Sequence, residues 1–351
     1  MKKRRKAYEL ERSVVYSPSG KDRHKKNISE GKEIRKETIE ILKQGLTDMS
    51  VSIGKIEDKI NIEVIKIKAF NRSDLYEKKY TVRWESKKNP IGRYGPYWME
   101  SFDDMGIKKY KSISQLSNKS SCPSKRQLIK SYGVEAEYIN NSKRNINMLK
   151  TKKRHISNTY SKLINLIVKE TKNNNYANHL FGNYLRNNNV GGYERGLYYR
   201  ERYLMDSLDL LDYLNHEMVS LENDIEKEMY GANIITAKRF GGILVSWELF
   251  ASGRNRKEQK LSPFGPIYPQ WRQINRWTPN IHNQGVRQIK NIKLTRDIIY
   301  KGQQGMIGRE LIDYRNSINR LEKDRQKIIK LLRMLWRCLS PETRKVNKNE
   351  K

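Results

Sequence analysis

A chain of 351 residues with 72 Lys+Arg against 39 Asp+Glu carries a formal charge of +33. Such self-repulsion disfavours a compact state unless something anionic offsets it, and nucleic acid is the commonest such partner. Six Trp and 21 Tyr are too many for a disordered chain; no stretch approaches the roughly 18 apolar residues of a spanning helix; and Cys122 and Cys338, far apart in sequence, point to a reducing compartment without a disulfide framework.

The expected fold class is α+β and mostly helical, with two tandem helix–small β-sheet–helix units on coiled-coil-like helices. Residues 1–27 read as a basic tail. MKKRRKAYELERSVVYS has a basic start with no apolar core behind it, so no signal peptide is expected. MKKRRK fits a nuclear signal and a solvated phosphate-binding tail equally well.

The first expected unit spans 28–170. Ile39, Leu42, Leu46, Met49, Ile53, Ile56 and Ile60 step by alternating threes and fours, the seam of a coiled-coil-like helix. From Ile62 to Trp84 the sequence reads as strand-like, and Tyr80, Val82 and Trp84 share a face. The stretch GRYGPYWMESFDDMGIKKY (92–110) then predicts strands over 97–102 and 107–113. DDMG between them predicts a hairpin turn, with Gly106 supplying positive φ. Pro96 cannot donate to a ladder and belongs at a strand's start or edge. Tyr97 and Trp98 then face opposite ways. One face meets the core, with Trp84 and Trp98 expected there, and the other presents an aromatic beside Lys108, Lys109 and Lys111. Such an aromatic can stack on a base or sugar while the lysines reach phosphates. After a Ser/Lys-rich loop (114–127), Ile139, Ile146, Leu149, Ile156, Tyr160, Leu163 and Ile167 predict a second helix, its seam interrupted by Ser142 and Lys153.

Asn-rich sequence and Gly191-Gly192 mark a linker over 171–198. The second expected unit, 199–339, repeats the order. Leu204, Leu208, Leu211, Leu214, Met218, Leu221, Ile225 and Met229 form a helical stripe. RFGGILVSWELF (239–250) is strand-like, and FGPIYPQWRQINRW follows from Phe264. Ile307, Leu311, Tyr314, Ile318, Leu321, Ile328, Leu332 and Leu335 form the cleanest seam, broken only by Arg325. This 307–335 helix is the candidate for homodimerisation. Residues 340–351 read as a basic tail. The two halves correspond in three places: YTVRW (80–84) with ILVSW (243–247), Tyr94-Gly95-Pro96 with Phe264-Gly265-Pro266, and GIKKYKSI (106–113) with GVRQIKNI (285–292). The connecting loops are longer in the second half, as in a diverged duplication, because loops tolerate insertion.

GRYGPYWMESFDDMGIKKYKSI (92–113), and more distantly 264–292, resembles the hairpin G-P-Y-W-Y, turn, G-K-x-x-x-K-x-I of a family of uncharacterised prokaryotic proteins found with mobile elements. It is also similar to the three-stranded arm-type DNA-binding domains of phage integrases. Met99 stands where the family usually has tyrosine, and the second copy departs further, with Pro269 and a longer loop. The resemblance implies a hairpin set between helices and a DNA-associated role, and it names no reaction.

No phosphate-binding glycine loop, dinucleotide fingerprint or zinc spacing occurs. His24, His155, His179, His216 and His282 are scattered. His282, Arg287 and Tyr300 have the wrong spacing for a tyrosine recombinase. Glu100, Asp103 and Asp104 invite a metal-nuclease reading, but the matching region of the second half holds Gln270, Arg272 and Gln273, and Asp favours hairpin turns. The expectation is therefore a protein that is not an enzyme, with no cofactor and no metal. Its candidate nucleic-acid contacts are Arg93, Tyr97, Lys108, Lys109, Lys111, Arg272, Arg276, Arg287, Lys290 and Lys293. DNA is favoured over RNA, in a mobile-element, plasmid or viral setting. The expected location is the cytoplasm, or the nucleus in a eukaryote. Two alternatives stand beside it: a structural RNA-binding component of a ribonucleoprotein or virion, and a coiled-coil adaptor to an acidic surface.

Overall fold

The computed structural model describes residues 18–70, 80–104, 107–113, 122–172, 192–239, 243–248, 262–274, 278–279, 285–286, 289–295 and 306–339. It is mostly helical with small antiparallel sheets, as the sequence predicts at the level of class. In chain order the elements are α1 (Pro18–Phe70), β1 (Tyr80–Ser86), β2 (Arg93–Asp104), β3 (Ile107–Ser112), α2 (Lys125–Tyr132), α3 (Ala136–Lys172), α4 (Gly192–Arg239), β4 (Ile243–Glu248), β5 (Tyr268–Ile274), β6 (Thr278–Pro279), β7 (Gly285–Val286), β8 (Ile289–Asn291) and α5 (Met306–Cys338).

Several boundaries differ from the sequence reading. The segment 62–70 is the last part of α1, not strand. Ile60, Val64 and Ile67 continue the helical spacing and are fully buried, and burial of that stripe outweighs the β-propensity of the isoleucines. Residues 18–27 are helical rather than tail; Pro18 suits a first helical position, where its missing N–H is not needed. Residues 192–198, expected as linker, open α4.

The chain divides into two compact units, each assembled from segments distant in sequence. One comprises 43–210 and 337–351 and is called the α3 unit; the other comprises 1–42 and 211–336 and is called the α5 unit. This division does not confirm a tandem pair.

In the α3 unit the sheet order is β1-β2-β3. Its core joins Ile60, Val64 and Ile67 of α1 to Tyr80, Val82 and Trp98 of the sheet and Leu128, Tyr132, Ile139 and Ile146 of α2 and α3. Val82 faces Trp98 across the ladder. Arg83 pairs with Tyr97 and Glu85 with Tyr94, so Gly95 and Pro96 together oppose Trp84. That bulge accommodates a proline inside β2 rather than at its start, because the ladder asks for no donor there. Gly95 has φ 95°. The expected hairpin is present, Asp104 facing Ile107; Gly106 lies outside the described residues. Helix α2 opens on a capping box, Ser124 accepting from the Gln127 N–H and Gln127 from the Ser124 N–H.

In the α5 unit the sheet order is β4-β5-β8, with β6-β7 a separate two-stranded sheet. Val245 faces Trp271, as Val82 faces Trp98. The core adds Ile225, Met229 and Ala232 of α4 and Leu311, Ile312 and Ile318 of α5. Asn233 of α4 both donates to the Val245 carbonyl (2.9 Å) and accepts from its N–H (2.8 Å), satisfying the free edge of β4. Of the α5 seam offered as a dimer stripe, Leu311, Ile318, Ile328, Leu332 and Leu335 are buried within the chain and Tyr314 and Leu321 are half-buried.

Candidate nucleic-acid interface

Each unit is organised around a carboxylate sealed from solvent. In the α3 unit this is Glu57, which occupies a seam position of α1 between Ile53 and Ile60. Arg93 donates to its Oε2 at 2.9 Å, Lys153 lies 2.7 Å from its Oε1, and Arg200 of α4 also donates to Oε2. A buried charge is tolerated only when paired and hydrogen-bonded, and the cations are further satisfied by backbone. Lys153 donates to the Arg93 carbonyl at 2.8 Å, and Arg93 donates to the Tyr193 carbonyl. The Arg93 guanidinium also lies 3.5 Å from the centre of the Tyr193 ring. Burial pulls the Lys153 ammonium below its ordinary range, opposed by Glu57 and reinforced by the neighbouring Arg200 and Arg93.

The α5 unit repeats the arrangement around Glu222, again on a helical seam. Arg35 of α1 donates to it at 2.6 Å and Arg325 of α5 at 3.2 Å. Arg325 also donates to the carbonyls of Pro266 (2.8 Å) and Ile267 (2.7 Å), as Lys150 of α3 does to Pro96 (3.0 Å) in the other unit. The correspondence extends to the strand tryptophan. The Trp84 indole N–H reaches Asn61, four residues beyond Glu57, and that of Trp247 reaches Glu226, four beyond Glu222. Lys153 lies over the Trp84 ring and Arg325 over Trp247. Gly265, like Gly95, has positive φ, at 83°. The units differ at one partner: Arg93 has Pro263 at the matching position before the Gly-Pro pair.

These clusters change the standing of the residues singled out from sequence. Arg93 is inside the unit, 2% exposed, its guanidinium directed at Glu57; it is not at a surface that nucleic acid could reach. Tyr97 is half-buried, with Lys150 5.7 Å from its ring centre, and burial raises its hydroxyl pKa. Trp98 is core at 2% exposure, whereas Trp84 is half-buried. Of the β3 lysines expected beside Tyr97, Lys109 and Lys111 stand on the other face, whereas Lys108 pairs with Asp103 on the Tyr97 face. Lys109 and Lys111 share their alternation with buried Ile113, which puts them on the Trp98 side of the sheet, exposed beyond its covered part. Arg83 and Tyr110 occupy the Tyr97 face, the guanidinium 4.7 Å from the ring centre. Lys108 pairs with Asp103 in the ladder, and nothing further of its side chain is described. In the second sheet Arg272 is half-buried and ion-paired with Glu248 at 2.9 Å. Lys293 is exposed. Lys290 pairs with Gln273 in the β5–β8 ladder, while Arg276 and Arg287 lie outside the described residues.

Among the described residues no group of three or more His, Cys, Asp or Glu could hold a metal ion, and no helix is long and apolar enough to cross a membrane. Comparison with family models, curated proteins and solved structures finds no match to any of them.

Proposed function

We propose that this chain is an internally duplicated, non-enzymatic nucleic-acid-binding protein that holds its ligand mainly by phosphate contacts, DNA before RNA. One observation carries the reading: the charge of +33. The buried Arg35, Arg93, Lys153, Arg200 and Arg325 face interior carboxylates and carbonyls, while the hairpin adds exposed Lys109 and Lys111. A surface of that sign attracts polyanions and binds them without needing base contacts. The duplication is supported by the matched sets around Glu57 and Glu222.

The test is titration of a short fluorescent duplex with the purified full chain over a range of salt. Log affinity is expected to fall linearly with log salt, by about 0.9 per phosphate contact on duplex DNA. The same titration with single-stranded RNA separates the ribonucleoprotein reading. Binding too weak to detect even at low salt would sink the proposal.

A further inference from the structure

Part of the charge excess is concentrated on one helix. Helix α3 carries nine Lys or Arg against two Glu, and from Tyr138 to Lys169 it contains no carboxylate at all. The opposite balance holds in α4, with ten Asp or Glu against six Lys or Arg. Three lysines elsewhere pair along their own helices: Lys66 with Glu63, Lys227 with Asp224 and Lys327 with Asp324. Among the described residues no carboxylate lies within ion-pair distance of Arg144, Lys152, Arg154, Lys162 or Lys169.

The free cations are also aligned. The buried seam of α3 runs through Ile139, Ile146, Lys153, Ser157, Tyr160, Ile164 and Ile167. On the opposite side Arg144, Met148, Thr151, His155, Asn158, Lys162, Asn165 and Lys169 follow one another by alternating fours and threes, and all eight are exposed. That spacing keeps them in one line along the helix, with Lys152 and Arg154 flanking it. At 1.5 Å per residue the line from Arg144 to Lys169 is about 38 Å long, close to one turn of duplex DNA at about 34–36 Å.

We propose that this outer face of α3 is the surface that tracks the phosphate backbone of a nucleic-acid duplex, an inference that rests on the reading of the chain as a nucleic-acid binder. Arg144, Lys152, Arg154, Lys162 and Lys169 contact phosphates, and Asn158 and Asn165 donate to phosphate or sugar oxygens between them. A duplex is chosen over a single strand because no Tyr, Trp or Phe is exposed between Arg144 and Lys169, whereas single-strand binders need aromatic platforms. It is chosen over an anionic membrane because an interfacial helix needs a large apolar face turned outward. On this stretch Met148 is the one large apolar side chain so exposed, at 53%.

The decisive comparison is between two full-length variants and the wild type, titrated with the same labelled duplex at several salt concentrations. One combines Arg144→Gln, Lys152→Gln, Lys162→Gln and Lys169→Gln; the other combines Lys109→Gln and Lys111→Gln. The α3 variant is expected to lose affinity by more than about tenfold and to flatten the salt slope by roughly three to four units, the hairpin variant by no more than about two. An α3 variant with wild-type affinity and slope overturns this inference and leaves the functional reading standing. A wild type that binds no duplex but binds single strands, or vesicles containing phosphatidylserine, overturns it too; one that binds no nucleic acid removes the reading beneath it as well. Should the α3 variant fail to fold, acetylation footprinting of the wild type decides the matter. Duplex must protect Lys152, Lys162 and Lys169 relative to Lys227 and Lys327, and equal labelling counts against the proposal.

Discussion

Glu57 has three cations around it and Glu222 has two, and all are sealed from water. Removing one partner of such a cluster leaves uncompensated buried charge, which typically costs about 3–5 kcal/mol. Glu57→Gln and Glu222→Gln are nearly isosteric, so each should lower stability by about that amount in urea unfolding followed by far-ultraviolet ellipticity. A change under about 1 kcal/mol would mean that the backbone carbonyls alone satisfy the cations. The sequence held a partial signal for these clusters. Lys153, with Ser142, interrupts the α3 seam and Arg325 breaks the α5 seam, and Lys153 and Arg325 carry their charge into the cores. Glu57 and Glu222 escaped notice because charged residues are usually solvated, and only the structure shows which ones face inward. Two buried tyrosines allow a test with pH. Burial pushes the Tyr132 and Tyr160 hydroxyls up to about 12, from an ordinary 10. Between about pH 10 and pH 12 the folded chain therefore keeps protons that the unfolded chain releases. The stabilisation is fully present below pH 10 and is lost as pH rises through 12. In a stability titration over this window Tyr132→Phe should show a shallower decline than wild type; an identical decline would show that Tyr132 ionises as freely as in the unfolded chain.

Glycine gives the sharpest test of how the elements meet. In an exposed helix interior Gly→Ala stabilises by about 1 kcal/mol through propensity alone. At Gly31 of α1 the added methyl would sit 3.8 Å from its nearest neighbour, ordinary contact, so Gly31→Ala should raise stability. At Gly196 of α4 it would lie 2.2 Å from Arg93 Cγ, and at Gly231 2.6 Å from the Tyr314 ring. Those two substitutions should therefore destabilise, reversing the sign that propensity predicts, and thermal melts of the three variants read the order directly. If Gly196→Ala also melts higher, α4 yields to the added methyl and its contact with Arg93 at the start of β2 constrains neither element. Most elements were legible because amphipathic period is local information: the α1 and α5 seams and the hairpin follow from spacing and turn chemistry. The end of α1 was misread because NIEVIKIKAF is rich in β-branched residues, and burial of Val64 and Ile67 decides its state. The start of α4 was misread because Gly192 and the asparagines before it look like punctuation, while Arg200 and Gly196 make contacts that no local pattern announces.

At the scale of the molecule, composition gave the sign of the charge and not its place. The acid-free run on α3 was readable in sequence, but that its cations stand in line on the exposed side requires knowing which face is buried. Connectivity was also out of reach. Each unit takes one stretch of α1 and one of α4, and Arg35 and Glu57 stand as far apart on α1 as Arg200 and Glu222 do on α4. Arg35 serves Glu222 and Arg200 serves Glu57. A chain cut into the two halves that the sequence invites, 28–170 and 199–339, would part both pairs. The first half would keep Glu57 with Arg93 and Lys153 but lack Arg200; the second would keep Glu222 with Arg325 but lack Arg35. Each would also expose the seam residues that the other helix covers. Small cores tolerate such loss badly, since a domain's net stability is only about 5–15 kcal/mol. Each half alone should therefore show less helicity than its share of the full chain and no cooperative melt, and an equimolar mixture should recover both. Two halves that melt independently at the full chain's temperature would instead make the contacts across α1 and α4 incidental, and restore two self-sufficient tandem units.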